Sequence, residues 1–253
     1  MRRPARLLAL LGVLAANSIA APAKAQDDSP PKQIWSFAGP FGTFDRAAAQ
    51  RGFEVYSEVC SKCHSLKLGY YRNLTGIGLS EEQVKAVAAG VTVPTIGDDG
   101  QPAERPALPA DHFRSPFPND KAARATLNGA LPPDLSVIIK AREGGADYVF
   151  GILTGYGDAP AGMKLGDGMN YDKYFPGHQI AMPQPLQDGQ VTYADGTKAT
   201  IEQEARDVAT FLTYMSDPWM EQRKQIGVKI ILFLVLMTGV TYAVKRKVWS
   251  DVH

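Results

Sequence analysis

Residues 58–66, EVCSKCHSL, hold both cysteines of this 253-residue chain, three positions apart, with His64 directly after the second. Three chemistries compete for such a stretch. A C-x-x-C disulfide closes a tight loop found mainly in redox-active dithiols, which have no need of a trailing histidine. A structural zinc site takes four protein ligands, and only His112, His178 and His253 remain to complete one. In C-x-x-C-H, by contrast, two thiols form thioether bonds to the haem vinyl groups while the adjacent imidazole is held under the iron. That reading uses every residue of the motif. It makes Cys60 and Cys63 the attachment sites of one covalently bound haem c and His64 the proximal iron ligand.

The flanking sequence predicts how the motif is carried. In TFDRAAAQRGFEVYSEVCSKCH, Ala49, Phe53, Tyr56 and Cys60 recur at helical spacing, so a helix is expected to run into the motif. In TIEQEARDVATFLTYM, Thr200 and Gln203 have capping-box spacing. Ile201, Ala205, Val208, Leu212 and Met215 follow as one apolar stripe, and Asp217-Pro218 ends it. These two helices are expected to cross beside the porphyrin. A third, SEEQVKAVAAG, opens on Ser80 and Gln83 and closes at Gly90. Eight prolines between residues 94 and 133 predict mostly irregular backbone there. The expected fold is mainly α with long irregular loops, a cytochrome c-like haem domain followed by one C-terminal transmembrane helix.

The two ends of the chain supply the compartment. Arg2, Arg3 and Arg6 precede an apolar run, and Ala23-Lys24-Ala25 matches a small-residue cleavage pattern, so residues 1–25 are expected to be a secretory signal peptide. Residues 226–244 carry a single charge, Lys229, and at 1.5 Å per residue span about 28 Å, enough for a membrane anchor within 223–247. Residues 26–222 then form an exported, periplasmic domain, and 248–253 a cytoplasmic tail. Basic residues near the two flanks of the anchor balance, so orientation rests on the signal peptide. Four basic residues precede Gln26, and six with one acid follow from Arg223 on, leaving a net charge near −8 in between. Clusters such as Glu81-Glu82, Asp98-Asp99 and Glu202, Glu204 and Asp207 are read as solvated faces. Such an excess favours a basic partner; no nucleic-acid partner is expected.

An electron carrier needs a second axial ligand, whereas a haem enzyme keeps that position open. Met163, Met169, Met182, Met215, Met220, His112 and His178 are the candidates. A lone methionine is usually core filler. Met182 differs because it sits in FPGHQIAMPQPL, a loop stiffened by Pro176, Pro183 and Pro185.

Five stretches carry a resemblance: WSFAGPFGTFDRAAAQRGFEVYSEVCSKCHSL, YRNLTGIGLSEEQVKAVAA, FPNDKAARATLNGALPPDLSVIIKAREGGADYVFGILTGY, YFPGHQIAMPQPL and YAVKRKVWSD. Across residues 34–250 the chain resembles the cytochrome c1 family, haem-bearing subunits of cytochrome bc1 complexes. The resemblance implies thioethers at Cys60 and Cys63, His64 and Met182 as axial ligands, and Arg142 and Tyr148 near a haem propionate. It implies a single-pass protein of the bacterial inner membrane, in a dimeric complex with a cytochrome b subunit, a Rieske iron–sulfur protein and a basic cytochrome c. Such a chain is not an enzyme on its own; it carries single electrons between the last two. A carbonyl near Pro132 or Pro133 is expected to take the His64 ring N–H. The rival readings are a free-standing membrane-anchored shuttle, a haem peroxidase with an open distal site, and a thiol oxidoreductase.

Overall fold

The structure, a computed structural model, describes residues 29–252, so the expected signal peptide lies outside the described residues. Helix α1 (Arg46–Glu58) starts where Asp45 accepts a hydrogen bond from the Ala48 N–H. It buries Ala49, Phe53, Val55 and Tyr56. Helix α2 (Glu81–Ala89) has the full capping box: Ser80 accepts from Gln83 N–H, and the Gln83 side chain accepts from Ser80 N–H. Helices α3 (Asp120–Thr126) and α4 (Ala146–Thr154) follow. The long helix α5 (Ile201–Ser216) closes the domain. At its start Thr200 accepts from Gln203 N–H, but the Gln203 amide reaches forward to Asp207 instead of back to the cap, so only half of the expected box forms.

The expected packing of the helix that enters the motif against the helix that closes the domain is the centre of the fold: α1 packs on α5, and α4 packs on α5 as well. Helices α1 and α5 approach closely at Gly52, where Phe53, Tyr56, Phe113 and Phe211 interlock nearby with ring centroids 5.6–6.3 Å apart. Edge-on and tilted aromatic pairs of this kind add about 0.5–1.5 kcal/mol each beyond burial.

Helix α5 is buried beyond its predicted stripe. Glu204 and Asp207, expected on a solvated face, are fully buried. The reason is a third wall: Leu186, Val191, Tyr193 and Ala199, in the segment leading into α5, pack against the same core. Glu204 accepts from the Val191 N–H, and Asp207 is clasped by Arg51 of α1.

The proline-rich section is less irregular than its composition suggests. Strands β1 (Thr92–Ile96) and β2 (Pro102–Pro106) pair antiparallel, with Pro94 opposite Glu104 and Ile96 opposite Pro102. A two-stranded ribbon consists only of edges, so its prolines need not donate into a ladder. The chain leaving β2 is pinned by Arg105, whose guanidinium donates to both Asp111 carboxylate oxygens, at 2.6 and 2.8 Å. These bonds and the Leu108 N–H hold the Asp111 carboxyl down at about 2. A depressed carboxyl contributes stability that is fully present above its ordinary value of 3.8 and is lost as pH falls through its folded value. Asp111→Asn should therefore melt earlier than the parent at pH 7, and the gap should close between pH 3.8 and about 2 in thermal melts.

After α5, capped by Asp217, helix α6 (Met220–Val248) runs 29 residues, about 43 Å. Among the described residues it is the one helix long and apolar enough to cross a membrane, with a mean hydropathy of 2.0 in its most apolar window. The expected boundary at residue 223 falls inside this helix, whose first turn docks on the domain. Glu221 accepts from Phe44 N–H and from Arg46, and Lys224 donates to the Phe37 and Gly42 carbonyls.

Candidate functional site

Helix α1 ends at Val59, and the chain tightens into a 3-10 turn, Cys60–Lys62. Cys63 N–H donates to Cys60 O at 3.1 Å and His64 N–H to the same oxygen at 2.8 Å. One turn thus gathers both thiols and the imidazole at the end of α1. Both cysteines are free and half-buried, and Cys60 packs against the core. Burial, with the neighbouring Cys63 adding to it, pushes the Cys60 thiol up to about 12. A dithiol oxidoreductase needs the opposite, a thiol lowered towards the thiolate.

The expected partner of the His64 ring is present: Nδ1 lies 2.8 Å from the Pro133 carbonyl oxygen. A carbonyl only accepts, so Nδ1 carries the proton and Nε2 keeps its lone pair for a metal. Burial lowers the imidazole pKa, against the opposing pull of that hydrogen bond. The carbonyl is itself fixed. Leu135 N–H donates to Ser65 O, and Asp134 accepts from Ser65 hydroxyl and Lys67 N–H, zipping residues 133–136 to the chain after the motif.

Met182 follows the short strand β4 (Gln179–Ile180), which pairs with β3 (Asn170–Tyr171). Its carbonyl accepts from the Tyr156 hydroxyl at 3.0 Å and from the Asn170 side chain at 3.3 Å. The turn joining the strands is built around fully buried Asp172, which accepts from the Tyr174 and Phe175 N–H groups. Burial raises its pKa. The Met182 backbone is therefore held at its own carbonyl and by the turn before it, through polar groups that sequence reasoning did not find. Nothing in the spacing of Tyr156, Asn170 and Asp172 announces a shared target.

Of the other candidate ligands, Met215, Met220, His112 and His178 have packing or hydrogen-bond partners of their own. Met215 and Met220 are core residues. His112 packs against Tyr70 with tilted rings, centroids 3.9 Å apart. His178 adopts φ 57° in the turn, with Nδ1 3.0 Å from Lys173 O. Met163 and Met169 are half-buried in the loop preceding β3. Arg142 is exposed and donates to the Ala141 carbonyl, and Tyr148 is half-buried on α4 against the core. Among the described residues no three His, Cys, Asp or Glu side chains converge as a metal cluster.

The donor chemistry fits a c-type haem: two free thiols three positions apart, an imidazole whose Nε2 keeps its lone pair because Nδ1 donates to Pro133, and a thioether at Met182, whose carbonyl is held by Tyr156. Comparison with known proteins agrees. The family model described as Cytochrome C1 family matches residues 35–252. Cytochrome b/c1 of Bradyrhizobium diazoefficiens is 47% identical over 249 residues, 89% of this chain but 36% of that longer protein. Cytochrome c1 of Rhodospirillum rubrum is 43% identical, over 98% of this chain and 97% of its own length. The cytochrome b-c1 complex catalytic subunit of Candida albicans mitochondria is 46% identical, over 88% and 78%.

Proposed function

The chain belongs to the cytochrome c1 family, and from that premise we propose that it is the membrane-anchored, haem-carrying electron-transfer subunit of a cytochrome bc1 complex. In this reading it takes one electron from a Rieske iron–sulfur protein and passes it to a basic, soluble cytochrome c. Quinol oxidation belongs elsewhere in a dimeric complex, so the chain alone completes no turnover. A relative whose name joins b and c1 supports a cytochrome b subunit as the immediate partner. The haem domain is assigned to the periplasmic side of a bacterial inner membrane, by way of the signal peptide.

When bound, a c-type haem supplies a one-electron couple. Everything else is the work of this chain. Cys60 and Cys63 would hold the group through thioethers. His64, its ring orientation fixed by Pro133, would donate Nε2 to the iron, and that hydrogen bond is the observation that carries the proposal. Met182 would supply the distal thioether, which favours ferrous iron over a second imidazole and so a higher potential. Arg142 and Tyr148 are assigned to a propionate, whose charge needs a cationic or hydrogen-bonding partner. Helix α1 adds the geometry of delivery. Its first residue, Arg46, is paired with Glu221 at the start of α6, and its last turn leads into Cys60. It therefore sets the attachment site about 20 Å along its axis from the anchor.

The reading is tested on the purified complex. Mass spectrometry should find one haem added across Cys60 and Cys63, and a redox titration with haem types resolved should give a one-electron couple for it. Met182→Leu should abolish the near-infrared methionine-to-iron band of the ferric protein and lower the midpoint potential. An unaltered band would reject Met182 as ligand. Purification free of any multi-helix cytochrome b would favour a free-standing shuttle.

A further inference from the structure

Residues 35–44 run along the flank of α5 towards the anchor as a ladder of rings. Trp35 stacks on Phe37 at 5.3 Å, Phe37 leans on Phe44 at 5.6 Å, and Phe44 meets Tyr214 edge-on at 5.4 Å. Arg206 lies 5.7 Å from the Trp35 ring at one end. Tyr214 is two turns further along α5, so the ladder descends about 12 Å. Its lower end is a closed turn: Thr43 N–H donates to Ser36 O, and at Gly42 an added Cβ would lie 2.0 Å from the Ala38 oxygen. Lys224 then holds the turn to α6 through the Phe37 and Gly42 carbonyls.

Phe41 stands at the outside of this rigid turn, 79% exposed. It shares a shallow cavity of about 110 Å³ with Lys224, Gln225 and Val228 of α6. The level of that cavity follows from the anchor. A hydrocarbon core of about 30 Å takes about 20 helical residues, and counting back from Lys245, the first base at the far end, puts its near edge around Ile226. Val228 then lies just inside the edge, with Phe41 beside it. Trp219, 68% exposed and about 10 Å above on the helix, falls in the headgroup layer, where tryptophan is enriched.

We propose that residues 37–44 form a collar around the root of the anchor that seats Phe41 in the lipid interface on the haem-domain side, the lipid surface itself being the partner. The inference rests on α6 being the membrane span. The collar ties three things to one level: the bilayer through Phe41, the anchor through Lys224, and the start of α1 through the Glu221 bonds to Phe44 and Arg46. The domain then cannot swivel freely on α6, and the attachment site at the far end of α1 keeps a fixed height.

The experiment uses the whole complex in nanodiscs of phosphatidylcholine bearing a diazirine near the glycerol end of one acyl chain. After irradiation and digestion, lipid adducts are expected on the peptide containing Phe41 and on residues 226–244. Phe41→Glu should lower the loop adduct at least tenfold while adducts on α6 and haem content stay unchanged; because Phe41 is exposed, this variant leaves the core intact. Adducts on α6 with none on the loop would overturn the collar. So would a photocrosslinking amino acid at position 41 that joins a protein subunit instead of lipid. Loss of adducts from both loop and α6 would reject the span on which the collar depends.

Discussion

Replacing Arg51 with leucine is expected to lower folding stability by about 3–5 kcal/mol, the range for leaving one member of a buried ion pair uncompensated. The guanidinium donates to both Asp207 oxygens, from Nε at 2.8 Å and Nη2 at 3.0 Å, and to Asp195 at 2.8 Å. These bonds raise its pKa, the Asp207 bond most. The two carboxylates are not equivalent. Asp207 is fully buried, so losing Arg51 strips both guanidinium bonds from its carboxylate and leaves it neutral donors such as the Gln203 amide, with no cation to balance its charge. Asp195 keeps 44% of its side chain in water, and its share of the pair is small. Arg51→Lys should also be poorly tolerated, because an ammonium is a point charge and cannot match the two-pronged geometry. The double variant Arg51→Leu with Asp207→Leu should recover most of the loss, since an apolar pair of similar volume removes the stranded charge. Urea midpoints of the single and double variants decide it, and an Arg51→Leu protein within 1 kcal/mol of the parent would show that the pair contributes little.

That pair also marks the limit of what the sequence discloses. The helix running into the C-x-x-C-H motif, the helix closing the domain, the caps at Ser80 and Thr200 and the long apolar C-terminal helix are all local patterns, written within a few turns of chain, and each is found in the structure. The carbonyl expected near Pro132 or Pro133 is also there, on Pro133. Partners far apart in sequence were not legible. Arg51 and Asp207 are 156 positions apart, and in isolation Asp207 looks like one more acid on a charged helix. A hint did exist: Gln203, Asp207 and Phe211 share one helical face, and a phenylalanine there argues that the face is covered. Proline composition was right about the loops and incomplete about the rest, for a related reason. It reports that a segment cannot join a large sheet, but it is silent on a two-stranded ribbon, which is what residues 92–106 form. The clamp on Met182 by Tyr156 and Asn170 depends on where two strands of two residues each meet, and no periodicity is short enough to announce that.

Gly52→Ala should be nearly as damaging, for a purely steric reason. A Cβ built on Gly52 falls 2.0 Å from the Asp207 carbonyl oxygen, 2.5 Å from its carbon and 2.8 Å from Phe211 Cβ. Two of these three atoms are α5 backbone, so no side-chain rotation relieves the overlap; the helices must separate. Overpacking a core costs about 1–3 kcal/mol, and a collision with backbone belongs at or above the top of that range. Alanine's better helix propensity returns about 1 kcal/mol at most. A net loss of about 2–3 kcal/mol corresponds to a fall in Tm of about 4–12 °C for a domain of about 200 residues. The effect reaches the candidate site, because the strain falls two turns before Cys60, on the helix that leads into the Cys60–Lys62 turn. Gly52→Ala should therefore reduce the covalently haem-stained band of the mature chain as well as its melting temperature, whereas Ala47→Ser, at an exposed position on the same helix, should change neither. If Gly52→Ala melted with the parent and kept full haem content, the close approach of α1 and α5 at this residue would have to be abandoned.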